Sequence, residues 1–206
     1  MKLLALRCPH CGGPLAPGET AVVVVCPQCR SAVVLADGGL TLTGAHYAAP
    51  GRATPDQWVP FWRFDGRVNI GLREAQNNKV SLTRWVSSHD AQAFWSRAGR
   101  FYIPAWDIDL PQASQLAQEL IESQPTFRPA TTPPPPDVVR PATLTPDDAR
   151  QLLDLAVITL EARRSDWLKK LDFTTDMGPP ALWLLPAQQK DGRWHLLADT
   201  SKKDTS

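Results

Sequence analysis

The sequence predicts an α+β fold: a small antiparallel β module at the N-terminus, then a small α+β body with antiparallel strands and one or two helices. Three observations point there. Two Cys-x-x-Cys pairs flank short valine runs near the start, aromatic and polar residues alternate through the middle, and a well-marked helix start, Thr145-Pro146-Asp147-Asp148, stands in the last third.

The first element is the stretch that holds all 4 cysteines, Cys8 and Cys11 followed after 14 residues by Cys26 and Cys29. A Cys-x-x-Cys turn sets two sulfurs on one side of a tight loop, and two such turns complete the tetrahedral all-sulfur shell that Zn2+ prefers. Pro9 and Pro27 fix the turns, and Gly12 and Gly13 permit positive backbone angles on leaving the first. In the second, Arg30 and Ser31 stand where glycine is expected. Ala21 to Val25, Ala32 to Ala36 and residues 40–43, after the Asp37-Gly38-Gly39 turn, read as strands. Residues 5–43 thereby resemble the functionally mixed group of four-cysteine zinc ribbons. The resemblance implies one structural Zn2+ on Cys8, Cys11, Cys26 and Cys29. A rubredoxin-like iron centre and a redox dithiol are the alternatives, although a thioredoxin-type motif needs a βαβ setting that neither pair has. Four thiolates close the shell against water, so the metal is expected to hold the chain rather than to react. A module of about forty residues with so small a core depends on its ion to fold.

Residues 44–56 are small and turn-rich and read as a linker after a first unit of 1–43. Residues 57–125 form a β-rich segment: QWVPFWRFDGRVNI, KVSLTRWV and RFYIPAWDIDL read as strands, and QASQLAQELIESQ as a helix after Pro111. Residues 126–143 are so rich in proline that an extended, mobile linker is expected. Residues 144–200 read as a helix plus a β-hairpin, packing with 57–125 as one domain in one reading, and 201–206 as a disordered tail. The helix begins at the Thr145 cap with Pro146 in its first turn, and Ala149, Leu153, Ala156, Leu160, Trp167 and Leu171 keep helical spacing. ALWLLPA and RWHLLA are joined through Asp191-Gly192, a strong hairpin signal. Three apolar strands carry an internal proline, at Pro60, Pro104 and Pro186; proline cannot donate to a ladder, which places each at a sheet edge or bulge.

Candidates for chemistry are few. Ser88-His89-Asp90 are adjacent in sequence, which does not aim three side chains at one another, so a turn or cap is expected. Asp107 and Asp109 would share one face of a strand, with Trp106, Ile108 and Leu110 on the other, and read as a solvated face. His10 lies inside the first Cys-x-x-Cys turn and replaces no ligand while all four cysteines are in use, and His46 and His195 lack an acidic or nucleophilic neighbour, so all three read as ordinary polar positions.

Composition bears on partners. Lys and Arg number 22 against 21 Asp and Glu, which gives no push toward nucleic acid or an anionic membrane. With four thiolates around Zn2+ the first 42 residues come near −1, without a basic stripe for phosphates. The apolar part of MKLLALR is too short for a secretory signal, and no run is long enough to span a bilayer, so a cytoplasmic protein is expected. The 8 tryptophans suit contact with another protein. The expected function is a non-catalytic adaptor or assembly subunit that binds another protein or a multi-subunit complex, with Trp58, Trp62, Trp85, Trp95 and Trp106 on exposed strand edges as anchors. The alternative is a nucleic-acid-binding factor, because Arg63, Arg67, Arg73, Lys79, Arg84, Arg97 and Arg100 interleave with aromatic rings; an electron carrier with iron comes after it.

Overall fold

The computed structural model describes residues 6–36, 38–76, 91–164 and 167–200. Its fold is α+β. The valine runs become β1 (Val23–Val25), β2 (Ala32–Ala36) and β3 (Gly39–Thr43), an antiparallel sheet in the order β1-β2-β3. The rest is built on one six-stranded sheet of β4 (Ala45–Tyr47), β5 (Gln57–Gln76), β6 (Gly99–Pro104), β7 (Trp167–Met177), β8 (Ala181–Lys190) and β9 (Arg193–Leu196). Two helices accompany it, α1 (Leu110–Ser123) and α2 (Pro146–Ala162), with a shorter helical turn over 91–95. Among the described residues no helix is long and apolar enough to cross a membrane.

β5 is the axis of the body. Its first half pairs with β8 from Gln57 to Arg63 and with β6 from Phe61 to Gly66; its second half, to Gln76, pairs with β7. Segments on either side of the proline-rich stretch therefore share one sheet. β7 and β8 follow the same edge of β5, broken at Gly178, whose N–H donates to the Asp65 carbonyl at 2.8 Å. Only glycine fits at Gly66 beside that break, since a Cβ would lie 2.1 Å from the Asp176 carbonyl.

Two expectations about proline are corrected. Pro60 and Pro186 lie in β5 and β8, which have neighbours on both sides, and not at a sheet edge. Each is tolerated because the adjoining ladder ends at it. The Pro60 carbonyl accepts the Ala105 N–H at 2.9 Å, while the Ala105 carbonyl, lacking a donor in Pro60, takes the Thr143 N–H at 2.6 Å. The Pro186 carbonyl likewise accepts the Leu197 N–H at 2.8 Å, and the Leu197 carbonyl takes the Gly51 N–H at 2.7 Å. Pro104 ends β6, nearer to expectation.

Residues 44–56 are no plain linker, because β4 pairs in parallel with β8 through Ala45, His46 and Tyr47. Residues 126–143 are interrupted by a 3-10 turn at Pro136–Val138 and are tied down as a strap: Pro129 bridges Ala48, Val139 bridges Trp58 and Ala142 bridges Val23. The strand expected from Arg100 to Leu110 stops at Pro104, and Asp109 instead caps α1, accepting the Gln112 N–H at 3.0 Å. The Thr145 start is as read: its hydroxyl accepts the Asp148 N–H at 3.1 Å in a capping box. Ala149, Leu153, Ala156 and Leu160 are buried on α2, but Trp167 and Leu171 lie in β7, beyond the end of the helix. The hairpin expected at Asp191-Gly192 joins β8 to β9, with both residues at positive φ. KVSLTRWV, Ser88-His89-Asp90 and 201–206 lie outside the described residues.

Both faces of the sheet are covered. On one, Trp62, Phe64, Ile103 and Leu184 pack with Leu153, Val157 and Trp95; on the other, Phe61, Tyr102 and Leu185 pack with Leu116, Trp106 and Trp194. α1 flanks β6 and feeds both clusters, through Ala117 and Ile121 to the first and Leu116 and Leu120 to the second. At its end Gln124 acts as a piece of strand, its side chain accepting from the Arg100 N–H at 2.7 Å and donating to the Arg100 carbonyl at 3.1 Å.

A buried carboxylate binds three elements together. Glu161 of α2, 0% exposed, accepts from Arg73 Nε of β5 at 2.7 Å, from Trp95 Nε1 at 2.6 Å and from Arg164 Nε at 2.8 Å. Removing it takes a carboxylate from the buried Arg73 guanidinium and leaves the Trp95 Nε1–H without its acceptor. Glu161→Ala is expected to lower the unfolding free energy by about 3–5 kcal/mol, read from urea denaturation. Arg67→Ala, which removes only the exposed pair with Asp176, should change it by less than about 1 kcal/mol. Equal effects of the two would remove Glu161 from this role.

Candidate metal centre

The two Cys-x-x-Cys turns fold alike. In the first, the Gly12 N–H donates to the Cys8 carbonyl at 2.9 Å and the Cys8 N–H to the Gly13 carbonyl at 2.8 Å. In the second, the Arg30 N–H donates to the Cys26 carbonyl at 3.0 Å and the Cys26 N–H to the Ser31 carbonyl at 2.9 Å. Gly12 has φ +72° and Arg30 φ +63°, so the left-handed step that glycine makes in one turn is made by arginine in the other. The departure seen in the sequence thus leaves the turn intact.

These turns bring Cys8, Cys11, Cys26 and Cys29 together, with all four Sγ atoms within 4.8 Å of one another. The Cys8–Cys29 and Cys11–Cys26 sulfur separations are both 3.6 Å, and no disulfide links them. A tetrahedral ion with metal–sulfur bonds of about 2.3 Å holds its sulfurs about 3.8 Å apart, so the cluster fits a four-sulfur metal site. Cys8 and Cys26 are buried with Leu15, Val24 and Val33, while Cys11 is exposed. The Ser31 hydroxyl and backbone, where glycine was expected, pull the Cys29 thiol down to about 5. Cys11 has a Gly13 backbone contact that favours its thiolate, but desolvation and the three neighbouring sulfurs push it up to about 12.

The second turn is wired into the body. Arg30 Nη1 donates to the Pro134 carbonyl of the strap at 3.0 Å, and Tyr47 of β4 donates its hydroxyl to the Arg30 carbonyl at 3.3 Å. Burial, opposed by the Arg30 charge, pushes the Tyr47 phenol up to about 12, so it remains a donor through the neutral range. The Val22 N–H donates to the Ala142 carbonyl at 2.8 Å. The sequence marks Arg30 as a departure from glycine but not its reach to the strap, and nothing local marks Tyr47.

The other sites expected from sequence are dispersed. Trp62, Trp95 and Trp106 are 1%, 1% and 2% exposed, and so belong to the core instead of an exposed edge. Both faces of the sheet being covered is the reason. Trp58 is half-buried with Nε1 donating to the Ala48 carbonyl at 3.4 Å, and Trp85 lies outside the described residues. Asp109 is engaged as a cap and Asp107 is exposed. His10 and His195 are exposed, and His46, in β4, stacks on Trp183 at 5.1 Å. Among the described residues the basic side chains form no single stripe: Arg73 is buried on Glu161, Arg67 pairs with Asp176 and Arg63 pairs with Asp65; Lys79 and Arg84 lie outside the described residues. In comparisons with known protein families, curated proteins and solved structures, none matches this chain.

Metal removal tests the site. Because the folded Cys29 pKa lies below its usual value, the contribution of its thiolate is present at pH 9 and lost as pH falls through about 5. Chelation, or acidification through that range, is expected to release the ion and collapse the amide NMR signals of 6–43, with β5 to β9 retained. Cys26→Ser should reproduce this at neutral pH. Unchanged spectra with full metal loss would show that the module folds without an ion.

Proposed function

We propose that the four cysteines hold one structural Zn2+ and that the protein is a non-catalytic adaptor or assembly subunit which docks on another protein or a multi-subunit complex. An all-thiolate shell suits Zn2+, and with its four positions filled by sulfur it has no place for a substrate. The observation that carries the docking reading is an apolar patch on the two helices. Leu110, Leu155 and Ile158 are 59%, 46% and 43% exposed. Leu110 and Leu155 border a groove between α1 and α2 floored by Ile103, Pro104, Ala113 and Ala117. Apolar side chains held in water beside a groove are suited to contact with a partner. This replaces Trp62, Trp95 and Trp106, which are spent on the core.

The test uses the full chain with its metal. One zinc and no iron per polypeptide is expected, and a protein that copurifies with the wild type should be lost from Leu155→Glu/Ile158→Glu at an unchanged melting temperature. Iron in the site would replace the zinc reading. A partner retained by the double variant, or none recovered by the wild type, would refute docking at this face.

A further inference from the structure

Away from the metal centre and the helical patch, a cavity of about 500 Å³ opens where β6 begins. Its walls come from β5, from the helical turn over 91–95 and the 96–98 loop after it, and from the end of α1. Three arginines line it, Arg63, Arg97 and Arg100, against the carboxylates Asp65 and Glu122. Arg63 is committed, its Nε donating to Asp65 at 2.8 Å with the guanidinium over Trp183. Arg100 donates to the neutral Thr126 hydroxyl at 2.6 Å and forms no ion pair among the described residues. Arg97 is exposed on the loop. Phe94, half-buried, supplies a ring to the same wall and is held edge-on by Trp95 at 4.9 Å.

We propose that this cavity binds the phosphate of a nucleotide, with Arg97 and Arg100 on the phosphate oxygens and the base against Phe94. The volume suits a small ligand, within the usual range of about 300–1,000 Å³, and the lining, in which charged groups stand beside the rings of Phe94 and Phe101, suits a charged one with an aromatic part. The choice of phosphate follows from donor geometry. A carboxylate presents one edge, which a single guanidinium occupies, whereas a tetrahedral phosphate has oxygens for two. Aromatic rings beside arginines are the common means of holding a base next to its phosphate. The site goes beyond the docking reading and depends on neither the ion nor the helical patch.

Metal-loaded full-length protein is titrated calorimetrically with AMP and, separately, with a short oligothymidylate, the two arms separating a free nucleotide from a strand. Binding in either arm that falls about tenfold in Arg97→Ala/Arg100→Ala, and falls in Phe94→Ala, supports the site. Since Arg100 also contacts Thr126, Arg97→Glu is the second variant; its side chain is exposed, so it should keep the wild-type melting temperature and still lose affinity. Arg67→Ala, on the exposed part of β5, should bind as wild type. No heat with either probe, or binding that Arg97→Glu leaves unchanged, overturns the proposal.

Discussion

A strand of 20 residues has two edges of backbone donors and acceptors to satisfy, and that requirement on β5 sets the place of almost every other element. β8 and β7 in succession serve one edge and β6 the other, while Gln124 satisfies the Arg100 backbone of β6. Where proline interrupts a ladder, the orphaned carbonyl is handed to a neighbouring segment, Thr143 at one site and Gly51 at the other. Those two hand-overs are why the segments that look like linkers are held in place. A residue without an N–H thus recruits chain that would otherwise be free.

The cysteine module joins this body through packing, with Val23 and Ala32 buried in the cluster of Trp62 and Leu184, and through backbone contacts. Val22 and Val23 pair with Ala142, and the Arg30 turn is clamped between Tyr47 and Pro134. The left-handed arginine costs about 1–2 kcal/mol relative to a relaxed backbone. Glycine would remove that cost together with the guanidinium that reaches the strap, so arginine here exchanges local ease for an anchor.

What the sequence revealed was local. The cysteine spacing, the valine strands, the Thr145 cap and the Asp191-Gly192 turn all draw their physics from residues a few positions apart, and all are found. What it concealed was set at a distance. The alternation around Trp62 defines a strand with two faces, but burial of both depends on α2 and α1, contributed by far later and separate segments. Trp167 seemed to prolong the α2 spacing, yet it pairs with Gln76 across the sheet. Asp109 looked like half of a carboxylate pair because a cap and a strand residue are alike until the strand is known to stop at Pro104. The cysteine cluster was the one candidate site legible in full, since its four ligands lie within 22 positions, 8 to 29.

The length of β5 has a consequence for how the chain is made. Gln57 pairs with Ala187, about 130 positions later, so the strand leaves the ribosome long before half of its ladder exists. The cysteine module's own ladder of β1, β2 and β3, which closes within Thr43, is complete by then. During translation a finished knob therefore precedes an unpaired, aromatic-rich ribbon, and that interval is when the nascent polypeptide is most exposed to aggregation and most in need of a chaperone.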